Sequence, residues 1–134
     1  MKLFKRLFFL FAIISIASCS KEKNNNSSTT DFSGKYQGPT TLKVTGGGQT
    51  ASIPYDLVLD ISKGSNDQEI KILFGNWLTM ATLNGNKFTI QSTTFPGQFT
   101  TTGNGEFSGN KLIINYTQQS TYQTTNYSGT ITKF

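Results

Sequence analysis

Three textures follow one another along the 134-residue chain. Residues 7–16 form an almost unbroken apolar run. Residues 20–31 contain no apolar side chain at all. From Phe32 onward, short runs alternate apolar and polar side chains and are broken by Gly, Asn and Pro. That period of two, bounded by turn formers, is the strand-and-turn pattern. No stretch shows a 3.6-residue apolar period with helix caps. Thr, Tyr, Phe and Ile are abundant, as pleated surfaces prefer.

Taken in order, the alternation predicts about eight strands. Residues 32–38 open the domain, and residues 40–45 continue past Pro39 with Leu42 and Val44 inward. Residues 46–49 turn the chain. In residues 53–61 the side chains of Ile53, Tyr55, Leu57, Leu59 and Ile61 share one face, and Asp56, Val58 and Asp60 share the other. Pro54 suits an edge or a strand start. Residues 63–67 turn the chain again, and Ile70, Ile72 and Phe74 follow with Lys71 outward. Residues 77–83 make the next strand, with apolar side chains on both faces. Asn84-Gly85 then predicts a hairpin tip with the positive φ angles of a type I′ turn. Phe88 and Ile90 face inward, residues 93–97 form a longer connection, and residues 98–107 make a Thr-rich strand. Leu112, Ile114 and Tyr116 face inward on the next strand, and residues 121–134 supply the last. Residues 83–90 echo residues 107–114, one hairpin chemistry used twice rather than a repeat architecture.

The apolar run near the start is an export signal rather than a strand. Lys2, Lys5 and Arg6 form a basic n-region before it. As a helix the run would reach about 15 Å at roughly 1.5 Å per residue, against the ~30 Å of a bilayer core. Small residues, Ala17 and Ser18, precede Cys19. Ile16-Ala17-Ser18-Cys19 resembles the lipobox of bacterial lipoproteins. The resemblance implies cleavage between Ser18 and Cys19 and lipidation of the Cys19 thiol. Acyl chains contribute about 0.8 kcal/mol per buried methylene, so two or more hold a protein on a membrane. The expected organisation is a signal peptide over residues 1–18, a lipidated cysteine and tether over 19–31, and a domain over 32–134. The tether spans roughly 20 Å by the flexible-chain rule. Its Asn/Ser/Thr run resembles tethers of lipoproteins from Bacteroidota-type bacteria, in which a charged stretch after the cysteine can direct export to the cell surface. Ser20 is not the Asp of inner-membrane retention. The expected location is therefore the outer membrane, at its periplasmic face or the cell surface.

A meander of eight short strands tends to close on itself, because closure removes unpaired edges. The expected fold is all-β, an antiparallel meander closing into a small barrel, with an immunoglobulin-like β-sandwich as the alternative. Gly34-Lys35-Tyr36 early in the first strand, the successive hairpins and Tyr127-Ser128-Gly129 in the last resemble small lipocalin-like (calycin) domains of bacterial lipoproteins. That resemblance implies a barrel with its first strand beside its last.

Charge changes the picture less than the bare total suggests. Three of the twelve basic residues lie in the signal, which leaves nine Lys against seven Asp and Glu, a net of +2. Such near balance gives no footprint for nucleic acid. Histidine is absent and Cys19 is the only cysteine. Triads of the Ser-His-Asp type therefore have no base, a zinc site lacks its usual ligands, and no internal disulfide can form. Asp60-x-Ser62-x-Gly64-x-Asn66-Asp67 is too poor in acid for a calcium loop. Asp56 and Asp60 read as solvated rather than as a glycosidase pair. No catalytic residue, metal or cofactor is expected. Trp77, Phe95, Phe99, Tyr116 and Tyr122 are candidates to line a pocket or stack on a sugar. Phe95 and Tyr122 stand out, because they lie near connections among Thr, Gln and Asn, a candidate surface for glycan or protein. The expected role is a lipid-anchored, non-enzymatic envelope protein that binds or supports, with a carrier of a small apolar ligand as the alternative.

Overall fold

The computed structural model describes residues 30–134, so the signal, Ser18 and Cys19 lie outside the described residues. Eight strands follow in sequence: β1 (Gly34–Gly46), β2 (Gln49–Lys63), β3 (Glu69–Phe74), β4 (Trp77–Asn84), β5 (Lys87–Phe95), β6 (Phe99–Ser108), β7 (Lys111–Gln119) and β8 (Gln123–Lys133). Each pairs antiparallel with the next, and β8 pairs with β1, which closes the barrel. The expected meander is observed, and closure excludes the sandwich.

The alternation written in the sequence becomes the wall. Tyr36, Leu59, Ile61, Ile72, Ala81, Phe88, Ile90, Leu112, Ile114 and Ile131 point inward and are buried. Lys43, Lys87 and Lys111 point outward and are exposed. On β4 the inward face is Trp77, Thr79, Ala81 and Leu83, while Leu78 is half-exposed outside. One end of the barrel is sealed by Phe32, whose ring stacks on Phe107 at 4.1 Å and 7°. The Tyr36 hydroxyl donates to the Phe32 carbonyl at 2.9 Å and fixes that plug.

Three features differ from the expectations. First, the β4–β5 tip is Gly85-Asn86, with Asn84 paired to Lys87. Only Gly85 has positive φ there (63°), so glycine first gives the type II′ pattern rather than I′. Gly75-Asn76 and Gly109-Asn110 repeat it, whereas Gly47-Gly48 has positive φ at both residues. The echo between the β4–β5 and β6–β7 hairpins extends to their anchoring. The Asn86 carbonyl accepts from Phe107 N–H at 2.8 Å, and the Asn110 carbonyl accepts from Lys133 N–H at 2.7 Å. Each tip thus ties down a neighbouring strand.

Second, β5 does not stop before residue 93, where the sequence places a connection. It continues to Phe95 through a bulge, because Ile90 pairs with Gly103 but Thr93 with Thr101. Two residues of β5, Gln91 and Ser92, oppose Thr102 alone. The extra residue reverses the alternation, so Thr93 and Phe95 take the inward face.

Third, Ile53 and Tyr55 share the core face of β2 yet are 48% and 44% exposed. The β3–β4 hairpin stops at Gly75-Asn76 and does not reach them.

The seam between β1 and β8 has its own chemistry. Gly46 and Gln49 close the β1–β2 tip, and from there hydrogen-bonded and open pairs alternate. Pro39 falls on an open pair, so its nitrogen faces β8. It has no proton to donate, and the β1–β8 register skips from Gln37↔Thr132 to Thr40↔Gly129. Gly129 lets the strands meet again. A Cβ there would lie 3.0 Å from the Pro39 carbonyl oxygen and 3.0 Å from Thr40 Cα.

Candidate functional site

The two ends of the barrel differ in chemistry. Residues 44–55, 72–86, 91–105 and 112–132 contain no charged side chain. All four tips at the end opposite Phe32 lie in those segments: Gly47-Gly48, Gly75-Asn76, residues 96–98 and residues 120–122. Lys35, Lys63, Asp67, Glu69, Lys87, Lys111 and Lys133 gather at or near the Phe32 end. Residues 30–33, which connect to the preceding chain, lie there too.

At the Phe32 end a cleft of about 870 Å³ is lined by residues 30–33, the residue 66–70 turn and residues 82–86. Asp31 sits at its edge. Its side chain accepts from Ser33 N–H at 3.0 Å, and that bond holds its carboxyl below the ordinary range. This cleft lies where the chain enters the domain, and its walls combine Phe32, Ile70 and Leu83 with turn backbone and solvated polar groups. Among the described residues no group of three or more His, Cys, Asp or Glu is placed to hold a metal ion.

The tips of the end opposite Phe32 carry no charge, Lys43 lying below them on the outer face of β1, and the wall there has a gap. β2 pairs with β3 only over residues 59–63, and β4 pairs with β5 only over residues 81–84. Above its ladder β2 leaves a notch over the short β3–β4 hairpin, on whose far side β5 stays beside β4 through the Thr79–Thr93 hydroxyl bond and the Trp77–Phe95 contact. Inward aromatic rings line it. Trp77, Phe95 and Phe99 form a triangle with centroids 5.1–5.2 Å apart, and Trp77 meets both phenylalanines edge to face. Tyr55 meets Tyr127 edge to face at 5.6 Å, and Tyr127 lies 5.7 Å from Tyr116. Beneath them Phe74 stacks on Tyr116 at 3.7 Å and 14°.

Uncharged polar groups share this end. Gln118 Nε2 donates to the Tyr116 hydroxyl at 3.2 Å, and the Tyr127 hydroxyl donates to Gln118 Oε1 at 3.4 Å. Burial pushes the Tyr116 phenol up to about 12. It also raises Tyr127, with Tyr55 nearby adding to the effect. The Thr79 and Thr93 hydroxyls bond at 3.3 Å.

Of the sequence candidates, Phe95 lies in this array, half-buried. Tyr122 is on the same end but 87% exposed, on the β7–β8 tip, and no aromatic contact joins the two. Trp77, Phe99 and Tyr116 belong to the array. Tyr55 and Tyr127 belong to it too, though alternation alone assigns them to the strand interior. The shortness of the β3–β4 segment is the sequence signal that could have flagged Tyr55. Asp56 and Asp60 lie on the outer face, Asp56 exposed and Asp60 half-buried opposite Lys35. No protein-family model and no curated protein matches the chain.

Proposed function

We propose that this chain is a lipid-anchored envelope protein with a non-catalytic binding role, its barrel of the lipocalin-like kind. In this reading Cys19 carries the acyl anchor after cleavage behind Ser18, and the protein sits in the outer membrane. The observation that carries it is the polarity of the barrel. The chain enters at the charged Phe32 end, so a tether from Cys19 holds that end toward the membrane. The charge-free aromatic rim then points away from it, where a partner can reach it. An apolar-ligand carrier needs empty depth, and the Phe74–Tyr116 stack and the buried aliphatic side chains fill the middle of this barrel. Eight-stranded barrels are often filled this way, which supports binding at the rim over carriage inside.

Two measurements test the reading. Labelled palmitate enters the wild-type protein and not Cys19→Ala; labelling that survives the substitution overturns the anchor. A photo-crosslinking side chain at Tyr122 captures envelope partners in intact cells, and one at Lys111 does not. Adducts from Lys111 alone overturn the orientation.

A further inference from the structure

We propose that the notch between β2 and β5 binds a neutral saccharide, stacked on Trp77, Phe95 and Tyr55. The inference rests on the binding role above and names its ligand class.

The wall chemistry excludes other occupants one at a time. A charged ligand would need a counter-charge, and none of the inward-facing side chains of the notch carries one. An extended peptide could add to the open edge of β2, since residues 50–58 have no β3 partner. Pro54 interrupts that edge. Thr41↔Pro54 is an open pair in the β1–β2 ladder, so the proline nitrogen faces the gap and has no proton to offer. The Asp56 carboxylate, on the outer face close by, further discourages strand addition. A long apolar ligand would need depth below the notch, where Phe74 and Tyr116 are in stacking contact.

What remains is a flat, uncharged group that is apolar on its faces and polar around its rim. A sugar ring has that form. Aromatic faces cover its C–H surface, and a few placed polar groups read its hydroxyls. The notch offers both. Trp77, Phe95 and Tyr55 are partly exposed rings on its floor and two walls. Beside them the Gln118 amide and the Tyr127 and Thr93 hydroxyls, already bonded to neighbouring groups, keep spare acceptor lone pairs and one Gln118 N–H. The long β1–β2 hairpin gives the site one high side, so an oligosaccharide would lie across the barrel mouth rather than enter it.

Trp77 is the only tryptophan in the chain, so its fluorescence reports the site directly. The experiment titrates the full-length protein, in a detergent without sugar headgroups, with cellohexaose, xylohexaose and chitohexaose. Polygalacturonate and a random-peptide mixture serve as competitors of other chemistry. The expected result is a saturable change in Trp77 emission with at least one neutral oligosaccharide, unaltered by added salt. Phe95→Ala and Tyr55→Ala should each weaken that binding about tenfold or more, as truncated aromatic anchors do, while Lys43→Ala leaves it unchanged. Tyr55 is half-exposed, so its variant keeps the test informative if Phe95→Ala fails to fold. The inference is overturned if no neutral oligosaccharide perturbs Trp77, or if only polygalacturonate or peptide does. If saccharides fail while Tyr122 crosslinks persist, the ligand class alone is wrong. If both fail, the binding role falls with it.

Discussion

At the scale of single residues, the barrel depends on a few positions where one atom decides the packing. Gly105 is the cross-strand partner of Phe88, whose ring fills the space a side chain would take. A Cβ there would strike that ring and lie 2.8 Å from the Ile113 carbonyl oxygen. Gly105→Ala should therefore destabilise the fold by about 1–3 kcal/mol, the cost of overpacking, read from the midpoint of urea unfolding. Tyr116 makes a second prediction, through pH. Burial holds its phenol at about 12 in the folded chain, against about 10 when unfolded. The folded state keeps a proton that the unfolded state loses in that window. The contribution is whole below about pH 10 and disappears as pH climbs toward about 12. Burial raises Tyr36 and Tyr127 as well and acts in the same sense. Urea titrations at stepped alkaline pH should show stability falling over that range, and the fall should be shallower in Tyr116→Phe.

At the scale of elements, strand length and a single bulge shape the candidate site. The free edge of β2 is guarded by Pro54, and Pro54→Thr restores the missing donor. That variant should self-associate or bind extended peptides where the wild type does not, measurable by sedimentation at matched concentrations. The β5 bulge is the other device. It sets the facing of residues 93–95, so inserting one more residue between Thr93 and Thr94 reverses the alternation beyond it, which turns Phe95 outward. Trp77 then loses one of its two edge-to-face partners. Its emission should move to longer wavelength while the far-ultraviolet β signature persists.

At the scale of the whole molecule, stability comes from burial and from a closed ladder, with little from charge. Among the described residues one ion pair forms, Lys87 with Glu106 at 3.7 Å, and both side chains are well exposed. Exposed pairs of this kind contribute about 0–1 kcal/mol. Lys87→Ala should shift the unfolding midpoint only slightly, and added salt should leave the wild-type midpoint nearly unchanged. A calorimetric scan at low and high salt checks both.

The fold class was written in the sequence because a strand's facing has a period of two and because turn residues declare themselves. Strand alternation needs no tertiary context: Leu57, Leu59 and Ile61 could face only one way together, and Asn84-Gly85 marked a hairpin tip. The same alternation misread Tyr55, since facing inward is not the same as being covered. Coverage depends on whether the neighbouring hairpin is long enough, and that is a property of two elements. Phe95 was visible as an aromatic in polar company, but its inward aim comes from a bulge defined by pairing with β6. The notch, its ring of aromatic side chains and the opposition of a charged end to an uncharged one exist only once eight strands close. Local periodicity determined the strands; register and closure decided which of their faces meet.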